Sequence, residues 1–211
     1  MSSRSGSVGQ QHLPGEVRRS ELVSAAIRVM RRQGLLETTT RDVAAEAGVS
    51  PGLVHHYFKS QDDLVAEAFA EVANEDLNRV SAAVRACSGA VDRLMTIVDA
   101  FTPPDAEWPF LLWIDAWAAA ARHESVRVRS RSVNLRWVKL FEETFRDGVR
   151  AGTFHCPEPR AAAWRMLALL DGLAIQVVTR QSGISRATVA AWVHEAARRE
   201  AGLGDPGLGD P

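Results

Sequence analysis

Apolar residues recur at intervals of three and four from about residue 17 to residue 201, and no stretch alternates apolar with polar. That spacing lines one face of a helix, whereas a half-buried strand needs a period of two. It predicts an all-α fold of about nine helices. The expected spans are about 17–33, 40–47 and 51–57, then a long helix from residue 61. Further helices follow over 91–101 and at about 105–122, 124–151, 158–181 and 185–201. Gly34, Gly48 and Gly152 stand at helix ends, Pro51 opens the third helix, and Pro103-Pro104 closes the fifth. Thr39, Ser60 and Ser185 are candidate N-caps, and Asp42 completes a capping box with Thr39.

The division of labour along the chain is uneven. The whole chain of 211 residues is nearly neutral at −1, which argues against unselective polyanion binding. Residues 1–60 carry eight basic and five acidic side chains, however, which leaves the remainder at −4. The expected organisation is an unstructured arm over 1–16, a head over 17–62, a body over 63–201 and a Gly/Pro tail over 202–211. Two cysteines, Cys87 and Cys156, fit a reducing cytoplasm and no disulfide scaffold. The apolar run 161–178 is interrupted by Arg165, Asp171 and Gln176, so it reads as a buried helix and not a membrane span.

The segment TTTRDVAAEAGVSPGLVHHYFKS (38–60) carries the chemistry. A short capped helix, a Gly turn and a second short helix make a helix-turn-helix pattern. Val43, Val49, Val54 and Phe58 have the spacing of a buried face, which leaves Leu53, His55, His56 and Tyr57 outward. Such side chains can meet base edges and thymine methyls. Thr39 and Lys59 flank them as candidate phosphate contacts; Thr40, Ser50 and Gly52 complete the candidate DNA-binding set. His55 and His56 are adjacent on a helix and point about 100° apart, so they do not form a metal pair.

Residues 18–64 resemble the N-terminal domain of the TetR/AcrR family of bacterial transcriptional regulators. The matching pieces are Leu22 to Ala26, Gly34, Thr39 to Ala44, Ala47-Gly48-Val49-Ser50, Tyr57-Phe58-Lys59 and Asp63-Leu64. The resemblance implies a three-helix DNA-binding head and a larger body that binds a small molecule and forms a homodimer. It implies a phosphate contact at Thr39. His55 stands where the family often has Tyr, and Gln61 where it usually has a second Lys. The run Ala168 to Leu173 and the Trp-rich sixth helix resemble the subgroup that includes the choline-responsive repressor of betaine synthesis. The implied function is a ligand-responsive regulator, a repressor, bound to a palindromic double-stranded operator. The competing reading is a helical protein-interaction scaffold. No phosphate loop, nucleophile elbow or metalloprotease motif supports an enzyme, and no cofactor is expected.

All six tryptophans lie beyond residue 100. They either fill the core or line a cavity for an apolar, aromatic or cationic effector. The candidate pocket is Met95, Phe101, Phe110, Trp113, Trp117, Trp137, Phe141 and Gln176, between helices five to eight. Trp192 is expected at the dimer interface. Asp115 and Asp171 sit in apolar stretches and either pair with an arginine such as Arg165 or Arg122, or orient a ligand. The fourth helix, which follows the recognition helix, is the expected transmitter between the two sites.

Overall fold

The computed structural model describes residues 15–101, 108–179 and 183–204. Among these residues there are nine helices and no strand: α1 Gly15–Gln33, α2 Thr40–Ala47, α3 Pro51–Tyr57, α4 Gln61–Ala86, α5 Ala90–Ala100, α6 Trp108–Ala120, α7 Glu124–Arg150, α8 Pro159–Val178 and α9 Arg186–Glu200. Pro103-Pro104, the start expected for the sixth helix, most of the arm and most of the tail lie outside the described residues.

The capping chemistry behaves as the residues dictate. Asp42 N donates to Thr39 Oγ1 at 3.2 Å and Thr39 N donates to Asp42 Oδ2 at 3.3 Å, a reciprocal box that starts α2. Gly48 stops it at φ +66°, where a Cβ would be strained. Ser50, Ser60 and Ser185 cap α3, α4 and α9 through their hydroxyls.

α1, α2 and α3 pack around Leu22, Ala26, Val29, Val43, Val54 and Phe58, all buried. α4 runs out of this head into the body, with Phe69, Leu77 and Val80 buried against α7 and α5. α7 is the body's central column: α4, α5, α6 and α8 all pack on it. Phe141 and Phe145 are fully buried there. Val149 is exposed, because the buried face of α7 ends on Gly148, against which Phe154 packs.

α8 is not buried all round within one chain. Ala162, Ala163, Met166, Leu167 and Leu170 are buried, but Ile175, Val177 and Val178 are half-exposed and Trp164 is exposed. α8 is long and apolar enough to cross a membrane by composition alone, yet it packs on α6, α7 and α9. The tail, expected to be loose from residue 202, remains part of the fold as far as Gly204. His155 N donates to Ala201 O at 2.8 Å, and Leu203 N to Arg198 O at 2.9 Å.

Candidate DNA-binding face and effector cavity

α3 presents its polar face as the spacing requires. Val54 is fully buried, while Gly52, His55, His56 and Lys59 are exposed and Leu53 and Tyr57 half-buried. The His56 and Tyr57 rings meet edge to face, with centroids 5.1 Å apart. Thr39 and Thr40 lie at the start of α2, both half-buried. The Thr39 hydroxyl is already engaged: it donates to Asp42 Oδ2 at 2.6 Å. That bond, with one from Gln33, holds the Asp42 carboxyl below the usual carboxylate range. A phosphate at Thr39 must therefore compete with the Asp42 carboxylate for that hydroxyl hydrogen.

One head residue escapes sequence reasoning. Arg19 Nη1 donates to Tyr57 O at 2.6 Å, its Nε donates to Glu67 Oε1 at 2.9 Å, and its guanidinium lies 4.3 Å from the Phe58 ring centroid. One side chain of α1 thus fixes the C-terminal end of α3 to α4. Its partner Glu67 lies 48 positions away, so no local pattern announces it.

The body holds a cavity of about 170 Å³ lined by Asp76, Arg79, Ala100, Phe101, Pro109, Phe110, Trp113 and Trp137. Four of the eight expected pocket residues meet there: Phe101, Phe110, Trp113 and Trp137. The other four do not line it. Phe141 is fully buried behind Phe101, Trp117 lies beside Trp113 with its ring tilted and the centroids 5.9 Å apart, Met95 packs on the core, and Gln176 lies on α8 outside the lining. The walls of this cavity come from α4 to α7; a separate, smaller pocket joins Phe101 and Phe110 to Leu170, Leu173 and Val177 of α8. The charged wall, Asp76 paired with Arg79 on α4, was missed, because an i,i+3 ion pair on an exposed helix looks like ordinary surface. Trp137 is held by Phe101 at 4.8 Å and Trp113 by Phe69 at 4.9 Å, both edge to face. A second cleft of about 280 Å³ shares Asp76, Arg79, Pro109 and Trp113 and is walled on its far side by Arg31 and Trp108.

The two aspartates flagged by sequence do not pair with Arg165 or Arg122. Arg165 bonds Glu200 instead, with Nε donating at 2.6 Å. Asp115 Oδ2 accepts from the backbone N of Leu35 at 2.9 Å, a contact from body to head. Burial alone pushes the Asp171 carboxyl up to about 7. Cys156 is buried, and burial raises its thiol pKa, as expected of an inert cysteine.

This geometry sits in a recognisable set of relatives. Residues 22–68 match the family described as bacterial regulatory proteins, tetR family, and residues 90–202 match the BetI-type transcriptional repressor C-terminal region. The HTH-type transcriptional regulator BetI of Agrobacterium fabrum is 34% identical over 190 residues, covering 85% of each chain. BetI of Rhizobium meliloti is 30% identical, covering 80% of this chain and 82% of its own length. A putative transcriptional regulator of Saccharomonospora viridis, solved in complex with choline, superposes with TM-score 0.75 at 25% identity, covering 85% of this chain and 95% of that one. A putative transcriptional regulator of Pseudomonas aeruginosa superposes at 0.74, also 25% identical, covering 90% and 93%. The chain belongs to the TetR family of bacterial transcriptional regulators, with a BetI-type body. It is a regulator and not an enzyme, and membership sets aside the scaffold reading.

Proposed function

We propose that this protein is a cytoplasmic repressor that binds a palindromic operator as a homodimer and lets go when a small cation fills the aromatic cavity. Leu53, His55, His56 and Tyr57 read base edges in the major groove; Thr39, Thr40, Ser50, Gly52 and Lys59 hold the backbone on either side. Two-fold symmetry of the dimer places two α3 helices on successive major-groove faces. The dimer face is α8 with α9, where Trp164 and Trp192 stand 41% and 46% exposed beside half-exposed Ile175, Val177 and Val178. Burying such a surface in a partner is favourable at roughly 25 cal/mol per Å².

The observation that carries the effector reading is the cavity lining. Three aromatic rings and a half-buried indole surround a space smaller than the roughly 300–1,000 Å³ of drug-sized pockets, which suits a compact ligand. A quaternary ammonium has no N–H to satisfy and binds to ring faces, each worth about 0.5–2 kcal/mol. Asp76 supplies the counter-charge, and an incoming cation competes with Arg79 for it. Choline, present in the Saccharomonospora viridis neighbour, is the first effector to try.

Selection of bound sequences from a random DNA pool tests the whole reading. An enriched inverted repeat, released by choline, is the expected outcome. Recovery of no symmetric motif contradicts operator binding, and an enriched repeat indifferent to choline and related quaternary amines contradicts the effector class.

A further inference from the structure

Besides the packing of α4 on α1, α6 reaches the head through side-chain contacts of its own. Its first residue, Trp108, has the Arg31 guanidinium of α1 4.6 Å from its ring centroid. Its middle residue, Asp115, accepts the Leu35 amide. Just past its end, His123 Nδ1 lies 2.7 Å from Asp62 Oδ2 and Ser125 Oγ donates to Asp63 Oδ1 at 2.6 Å, both at the start of α4. Between the first two contacts sits Trp113, a wall of the cavity.

The Leu35 contact is the most exacting of these. Leu35 follows Gly34, which ends α1 at φ +88°, and the α1–α2 turn orients α2. A Cβ on Gly34 would lie 3.1 Å from Asp115 Oδ2, so the carboxylate reaches the amide only across a bare glycine. Thr38, fully buried, closes the same turn through its hydroxyl to Gly34 O at 2.8 Å. The Leu35 amide is therefore held by a side chain from the body, 80 positions away.

We propose that Asp115 is the positioning residue through which cavity occupancy reaches the head. The inference rests on the effector reading above. Phe69 on α4 backs Trp113 at 4.9 Å, so a ligand pressed against the indole has little slack to take up except by moving α6. A hydrogen bond at 2.9 Å is lost when its atoms separate beyond about 3.5 Å, so a helix shift of under about 1 Å suffices to free the turn. The stacked Arg31–Trp108 pair tolerates such a shift; the single amide bond does not.

The test compares wild type with Asp115→Ala and Asp115→Asn, using choline as the probe. Three quantities are read: choline affinity by tryptophan fluorescence, operator affinity with and without saturating choline, and exchange of the Leu35 amide by NMR. In Asp115→Ala, choline affinity is expected within about twofold of wild type, while a tenfold choline-induced loss of operator affinity shrinks below about threefold. Leu35 exchange accelerates in this variant without ligand. Asp115→Asn keeps a weaker acceptor and gives an intermediate response; it carries the test if the alanine variant fails to fold. Full coupling in the folded alanine variant, or in the asparagine variant if only that one folds, overturns the proposal. If wild type ignores choline, the effector reading fails, and the latch is judged on exchange alone: unchanged Leu35 protection in the variant overturns it.

Discussion

The head and the body use side chains of similar chemistry in opposite ways. The head turns its polar side chains outward from α3 and fixes that helix by Thr39, Asp42, Ser50 and Arg19. The body turns Phe101, Phe110, Trp113 and Trp137 inward, around a space bounded by four helices. The major groove of B-DNA is wide enough to admit a helix, so a short helix with a set of outward residues is enough to meet it. A small molecule brings no such template, so its site must be assembled from residues as far apart as Asp76 and Trp137. The lesson is that the DNA face is local and robust, whereas the cavity depends on how long helices pack.

Phe69 lies where these two regimes meet, and changing it gives the largest expected effect. It is fully buried on α4 and supports Trp113. Phe69→Ala is expected to cost about 3–5 kcal/mol and to remove operator and effector binding together, read by chemical denaturation. A variant that lost effector binding alone would show the two regions to be less connected than their packing indicates.

A property of the body alone comes next. The Asp171 carboxyl titrates near 7 when folded, and an unfolded one near 4. Between those values the folded chain keeps a proton that the unfolded chain has lost, so stability falls as pH rises from about 4 to 7. The loss is expected at about 1–3 kcal/mol, and Asp171→Asn should flatten it in denaturation curves taken across that range.

Within the head, two substitutions separate reading from holding. His55→Ala is expected to relax preference at one base position by about 1–3 kcal/mol, measured by binding to single-site variants. Lys59→Ala should instead weaken all sequences alike and lower the salt slope by about one unit. Smallest is Arg19→Lys, which keeps the charge but loses the forked contacts to Tyr57 O and Glu67. A stability loss of about 1 kcal/mol or less is expected, with a fewfold weaker grip on every sequence and choline binding unchanged.

The contrast also explains what the sequence could show. Caps, turns and the outward set of α3 depend on residues within four or five positions of each other, and the helices of the head fall within about two residues of their expected limits. The aromatic lining was half legible: Phe101, Phe110, Trp113 and Trp137 meet, but Met95, Trp117, Phe141 and Gln176 share their character without sharing the space. Periodicity assigns a residue to the inner face of a helix; it does not distinguish a core position from a cavity wall. Arg19 and Asp115 were invisible in their roles because each acts on a partner fixed only by tertiary packing, the Leu35 amide 80 residues from Asp115 above all; the local Asp76–Arg79 pair gave no sign that it faces a cavity.

The coupling between the two regions is open to one direct measurement. Choline affinity is determined by calorimetry with the free protein and with the protein saturated by its selected operator, and operator affinity with and without choline. Linkage requires both ratios to be the same number. A common factor of about ten or more, equivalent to about 1.4 kcal/mol or more, is the expected result. Choline binding that is equally tight with and without operator would contradict a switch that joins cavity to head.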